Sequence, residues 1–368
     1  MIWGAPGIGK SRIIKSIVNE DNIDNVIVRS NKNMTPSELK TYLKQIIERK
    51  IKIAIMIWGA PGIGKSGIAK QIADELGIGF KDLRLSQIAP TDLRGLPVPD
   101  LDNDVFRYLR PDFLPTEGRG ILLVDEINMA PPVMQGIAHQ LVLDRRVGSY
   151  VVPEGWYIIA AGNRLEDRAA VFEMPSALAN RFIHLQVEAE FDSFQAYAIE
   201  KQIHEHIIGF LSSCSQLLHR LDFQQPAWPS PRTWEMASVL HSNDLDIAPA
   251  VGEAAAGDFR AYLLIYDRLP DINSILTGNG SAIAFPEDPS VRYAITTALF
   301  VRATDVDQAY NAFRWLNDKA TAEWVSLFAC GMIPKMRQLG QLGALATLVQ
   351  RDNELQQFLK NYRDLLGF

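Results

Sequence analysis

Cysteine is nearly missing from this chain: among 368 residues only Cys214 and Cys330 carry a thiol, far apart and with no C-x-x-C pair. That speaks against a disulfide framework and against a zinc site, and it fits a reducing compartment. An excess of basic charge is missing too. The formal net charge is -6, which speaks against a protein whose main task is gripping nucleic acid. The sequence has no zinc-binding spacing, basic tail or aromatic-basic stripe. No uninterrupted apolar run is long enough to cross a bilayer, and the N-terminus lacks the basic-then-apolar signal pattern, so a soluble cytoplasmic protein is expected. No Ser/His/Asp constellation and no glycosidase-type carboxylate pair stands out. His204 and His206 look metal-like, but at i and i+2 on a helix they would leave on different faces, which speaks against chelation. What remains is an ordinary globular composition, 47% hydrophobic and 22% charged, with room for two or three domains.

What is present is a repeat. MIWGAPGIGKS occurs twice, letter for letter, at residues 1–11 and 56–66. Each copy contains G-x-x-x-x-G-K-S, the Walker A pattern: a glycine-rich backbone offers N–H donors to phosphates, the Lys reaches the β- and γ-phosphates, and the Ser hydroxyl holds Mg²⁺. Both copies continue as loop, helix and short strand. The first then stops at a new helix, residues 36–49, with Thr35 as N-cap, Pro36 at the first helical position and Glu38 completing a capping box. A Walker A loop needs a buried strand before it and a helix N-terminus behind it. Residues 51–58, IKIAIMIW, supply that strand for the second copy. Only Met1, Ile2 and Trp3 precede the first. Lys65 is therefore expected to work and Lys10 not. The phosphate cradle is assigned to Gly59, Ala60, Pro61, Gly62, Ile63, Gly64, Lys65, Ser66 and Gly67.

Downstream, GILLVDEIN (residues 120–128) reads as a buried parallel strand ending in two carboxylates. Asp125 would share the Mg²⁺ with Ser66, and Glu126 would polarise the attacking water as general base. Residues 146–163 read as a hairpin and then another buried strand ending at Asn163. That amide could orient the same water, or the residue could simply form a turn. Arg181, in PSALANRF, has two readings: a surface charge after a short helix, or an arginine finger inserted into a neighbouring subunit's site. Arg232 starts a helix, where a cation opposes the helix dipole, and that makes it a functional candidate rather than an ordinary surface Arg. From residue 191 on, helical periodicity dominates, including the run at 196–221. Two Pro/Gly-rich breaks (223–232 and 276–290) mark off further helical segments.

These pieces, in this order, resemble the AAA+ ATPases, and the fit is closest to the MoxR-like group of the helix-2-insert clade. That clade also holds McrB-like, magnesium-chelatase-like and MCM-like branches. Residues 85–99 look like the family's inserted helix or hairpin, and 144–163 like the hairpin before its sensor strand. The resemblance covers about residues 34–240. It implies an α/β fold, a P-loop NTPase three-layer αβα domain with a helical lid and a helical C-terminal extension. The expected division is 1–33, a partial and non-functional duplicate; 34–190, the nucleotide-binding domain; 191–275, the lid; and 276–368, the extension. The resemblance also implies sensor 1 at Asn163, the finger at Arg181 and sensor 2 at Arg232, acting in cis or in trans. It implies Mg²⁺-dependent ATP hydrolysis in a homo-oligomeric ring, hexameric. The role implied is chaperone-like remodelling of a protein client, with a von Willebrand A-domain protein as partner and without nucleic acid or membrane. The alternatives are a nucleic-acid-stimulated motor of the MCM or McrB type and a non-hydrolysing nucleotide-dependent scaffold.

Overall fold

A computed structural model describes residues 33–167, 172–266, 268–353 and 355–356. The first MIWGAPGIGKS copy, Lys10 included, lies outside the described residues. Helix α1 (Pro36–Glu48) forms as its sequence dictates: Thr35 and Glu38 make both halves of the capping box, and Leu39, Leu43, Ile46 and Ile47 line its buried face. Strand β1 (Ile55–Trp58) feeds the second glycine-rich loop, which opens α2 (Lys65–Glu75). There follow β2 (Gly79–Arg84), α3 (Pro90–Arg94), an antiparallel hairpin of β3 (Leu96–Asp100) and β4 (Val105–Leu109), then β5 (Arg119–Asp125) and α4 (Pro132–Leu143). The short hairpin β6 (Arg146–Val147) and β7 (Tyr150–Val151) precedes β8 (Gly155–Gly162), α5 (Ser176–Ala179) and β9 (Ile183–Gln186).

Five of these strands make one sheet in the order β2-β5-β8-β1-β9, with every pairing parallel. Alternate side chains feed two apolar layers. Leu122, Val124, Ile158 and Ala160 pack on the α4 side, while Ile121, Leu123, Ile159 and Ala161 pack against α1 and α2. The result is the three-layer αβα arrangement. The chain leaves β1 toward β2 and leaves β8 toward β9, in opposite directions. The crevice between the carboxyl ends of β1 and β8 is thus the topological switch point, where open α/β sheets bind ligands.

Two strands are shorter than the sequence pattern suggests. Residues 51–53 do not join the sheet: β9 begins opposite Ile55, the Ala54 carbonyl accepts the first bond from the Ile183 N–H at 2.9 Å, and Ile51 and Ile53 run beyond that end, exposed. The strand expected at 120–128 stops at Asp125 because Glu126 adopts a left-handed φ of 55°.

Beyond β9 the described residues are mainly helical: α6 (Phe191–Glu200), α7 (Glu205–Ser213), α8 (Pro231–His241), α9 (Ala248–Val251), α10 (Glu253–Tyr266), α11 (Ile272–Leu276), α12 (Pro289–Arg302), α13 (Val306–Lys319), α14 (Ala322–Gln338) and α15 (Leu342–Arg351). A single apolar cluster reaches from Phe194 to Leu355, centred on the fully buried Phe210, Trp234, Phe259, Phe300 and Phe328. The helical run expected across 196–221 is broken after Glu200, where Gln202 takes a left-handed φ of 55°. His204 is consequently the N-cap of α7 and not a helical residue; its ring nitrogen accepts from the His206 N–H. The different-faces argument against pairing His204 with His206 therefore fails, and their rings lie 4.4 Å apart.

Candidate nucleotide site

The loop between β1 and α2 owes its shape to glycine at three points. Gly62 and Gly64 have φ of 81° and 92°, a conformation that side chains rarely tolerate. At Gly59 an added Cβ would sit 2.7 Å from the Val187 carbonyl oxygen. Lys65, the first residue of α2, is buried, and its ammonium donates to the Gly59 and Ala60 carbonyls (2.7 and 3.0 Å) and to Asn163 Oδ1 (2.9 Å). It thereby bridges the crevice from β1 to the end of β8. Burial pulls its pKa down to about 8, against the opposing pull of Asp125 and Asp167.

The acidic strand end meets the loop directly. Ser66 Oγ donates to Asp125 Oδ2, and Asp125 Oδ1 accepts from the Glu126 N–H at 2.8 Å. A hydroxyl and a carboxylate already in contact are hard oxygen donors of the kind Mg²⁺ takes, so this pair fits that ion. The Glu126 carboxylate accepts from the Ser86 hydroxyl, just past β2. The sequence-assigned Lys65, Ser66, Asp125, Glu126 and Asn163 are therefore all brought together.

Arg181 is not brought there. It precedes β9, whose first residue pairs with Ile55 at the amino end of β1, so it lies at the opposite edge of the sheet from the glycine-rich loop. Its side chain is exposed. Arg232 is on the loop's side: the N-terminus of α8 sits against the loop, with the Arg232 N–H donating to the Gly62 carbonyl at 3.3 Å.

Sequence reasoning misses several contributors. Buried Asn128 donates to the Asn163 carbonyl (2.7 Å) and accepts from its N–H (3.2 Å), locking the two strand ends together. Asp167 holds the Arg164 guanidinium through two hydrogen bonds of 3.2 and 3.1 Å. His219, from the helical part, hydrogen-bonds the Pro61 carbonyl at 3.2 Å and packs edge-on against Trp228. Only the DEIN spacing could have pointed to Asn128 and the R-x-x-D spacing to the Arg164–Asp167 pair, while His219 acts across 158 residues, which no local pattern reports.

Residues 54–184 match the model of the ATPase family associated with various cellular activities (AAA). No curated protein matches the sequence. Among solved structures, the Holliday junction branch migration motor RuvB of Thermotoga maritima is similar at 15% identity and a TM-score of 0.36, over 73% of this chain and 82% of that one. NtrX from Brucella abortus is similar at 16% identity and a TM-score of 0.31, over 84% of this chain and 67% of that one. At such scores neither likeness bears on the function. The family match spans the sheet from β1 to the start of β9, with the glycine-rich loop, the acidic strand end and Asn163 inside it. Residues 54–184 thus form an ATPase unit of the AAA+ type, and the chain is an ATPase that uses ATP with Mg²⁺.

Proposed function

We propose that the ATPase works as a ring, hexameric and MoxR-like, that remodels a protein client, with the Lys65 loop as its nucleotide site. The observation that carries the ring is the position of Arg181. It is exposed at the sheet edge away from its own loop, so it can serve as a finger only for a neighbouring subunit. Within one chain, Lys65 and the loop N–H groups hold the phosphates, and Ser66 with Asp125 holds Mg²⁺. The bound ion supplies neutralisation of phosphate charge. Glu126 orients and deprotonates the attacking water, Asn163 fixes that water's position, and Arg232 acts in cis from the α8 N-terminus.

The protein client is supported by the β3–β4 hairpin. Leu96, Leu101, Val105, Phe106 and Leu109 all stand exposed on this one projection, an apolar surface suited to polypeptide rather than to phosphate backbone. The remodelling role and a von Willebrand A-domain partner follow the resemblance of the motifs. The test is mixing. Arg181→Ala titrated into wild type should depress activity more steeply than simple dilution, while sedimentation in Mg-ATP should show a hexamer. Full activity from a dilute monomer would sink the ring. Turnover stimulated several-fold by DNA or RNA would instead favour the nucleic-acid motor.

A further inference from the structure

Three of the chain's six histidines meet in the helical part, at the end of α8 remote from the nucleotide site. His204 caps α7, His206 lies in the first turn of α7, and His241 is the last residue of α8. One ring nitrogen of each lies within 4.8 Å of the others, the one such group of three or more potential ligands among the described residues. His206 Nδ1 and His241 Nε2 face each other at 2.9 Å. The His204 N–H donates to Ser238 Oγ at 2.8 Å, fixing the cap of α7 onto α8.

The surroundings leave the imidazoles neutral and convergent. The Tyr266 ring lies 4.3 Å from that of His206, and the Phe259 ring 5.1 Å from that of His241. The charged groups facing the cluster are Glu205, Arg302 and Asp244. Glu205 is already committed to a forked pair with Arg302 (2.8 to 3.2 Å), so its charge is offset. Burial lowers the pKa of all three histidines, and His206, further lowered by its two neighbours, falls to about 4. One nitrogen of the His206–His241 pair carries the hydrogen they share; a tautomer shift to that ring's other nitrogen turns both into lone-pair donors and makes the three rings a ligand set for a cation.

We propose that His204, His206 and His241 form a three-imidazole site for a borderline divalent transition-metal ion of the zinc type, fastening the start of α7 to the end of α8. Metal–nitrogen bonds of about 2.0–2.1 Å in tetrahedral geometry place donors about 3.3 Å apart, so the His206–His241 pair at 2.9 Å opens by a few tenths of an ångström while the longer separations, within 4.8 Å, close by ring rotation. The rings are only half buried, which leaves the fourth position to water. Mg²⁺ prefers the oxygen donors at Ser66 and Asp125, so the two ions do not compete. Arg232 lies on the same helix, about 14 Å from His241 at 1.5 Å per residue, so the metal would steady the element that touches the glycine-rich loop.

The test uses the full chain, stripped with chelator and held in saturating Mg²⁺. Titration with Co²⁺ should give the visible absorption of tetrahedral cobalt at one equivalent per chain, bleached by Zn²⁺. One equivalent of Zn²⁺ should raise the melting temperature by several degrees. His206→Ala and His241→Ala should each abolish both effects, and His184→Ala should change neither. His241→Gln, closer in polarity and volume, serves as the second variant if alanine disturbs folding. No cobalt band at one equivalent, or binding that survives loss of His206 and His241, overturns the proposal.

Discussion

Glu126 is held twice over: its backbone is left-handed and its carboxylate accepts from the Ser86 hydroxyl. As the proposed base, Glu126 keeps Oε1 open to water, but the hydroxyl on Oε2 stabilises the carboxylate and so weakens its pull on a proton. A hydrogen bond to a charged group contributes about 1.5–3 kcal/mol, of which only a part is felt at the barrier, and about 1.4 kcal/mol there is tenfold in rate. Ser86→Ala is therefore predicted to raise basal turnover by up to about tenfold with the KM for ATP unchanged. A fall in turnover in steady-state kinetics would mean that Ser86 positions the base and does not restrain it. Lys65, Ser66, Asp125 and Asn163 were legible in the sequence because their chemistry is tied to fixed spacing after a strand. Ser86 reaches Glu126 across 40 residues and His219 reaches Pro61 across 158. Contacts of that kind are made by the fold and leave no mark in a local pattern.

Helices differ in how openly they declare themselves. The boundaries of α1 are written in Thr35, Pro36 and Glu38, whereas the break before α7 falls at Gln202 with no glycine or proline to announce it. Strand β1 is shorter than its apolar run because its partner β9 starts late, a fact of pairing and not of composition. Packing likewise reverses a propensity at Gly331 in α14. Alanine is the better helix former by about 1 kcal/mol. A Cβ there would nevertheless stand 2.6 Å from the Phe300 ring of α12, inside a close-packed core. Gly331→Ala is predicted to destabilise the protein by about 1–3 kcal/mol in denaturant unfolding. A gain in stability would show that the α12–α14 crossing yields.

The same helical part should be sensitive to acid. His206 titrates at the ordinary 6.5 when unfolded and at about 4 when folded, so the unfolded chain binds more protons between those values. His204, His241 and His219 shift in the same direction, while Asp192, raised by burial, opposes them. Metal-free protein is predicted to lose stability as pH falls from about 6.5 toward 4, with little change from this source above 6.5. Thermal melts across that range check it, and a flat or rising melting temperature would contradict the burial of these rings.

At the scale of the molecule, the three-layer αβα fold was legible because its central strands β1, β5 and β8 are largely apolar runs that deliver chemistry at their carboxyl ends, whereas β2 (GFKDLR) and β9 (IHLQ) at the flanks are not. The sheet order then explains the geometry: β1 and β8 meet at the switch point, where Lys65 and Asn163 join hands across the crevice. Arg181 is carried to the far edge by the same topology. How the helical segments share one core from Phe194 to Leu355 was not legible, since amphipathic faces do not name their partners. We propose that the Lys65 loop is the one nucleotide site of the chain despite the duplicated segment at residues 1–11. The decisive measurement is equilibrium binding of Mg-ATP to Glu126→Gln, a variant expected to bind without turning over. One nucleotide per chain is predicted, lost in Lys65→Ala and retained when residues 1–33 are deleted; two nucleotides per chain, or binding that survives Lys65→Ala, would contradict it.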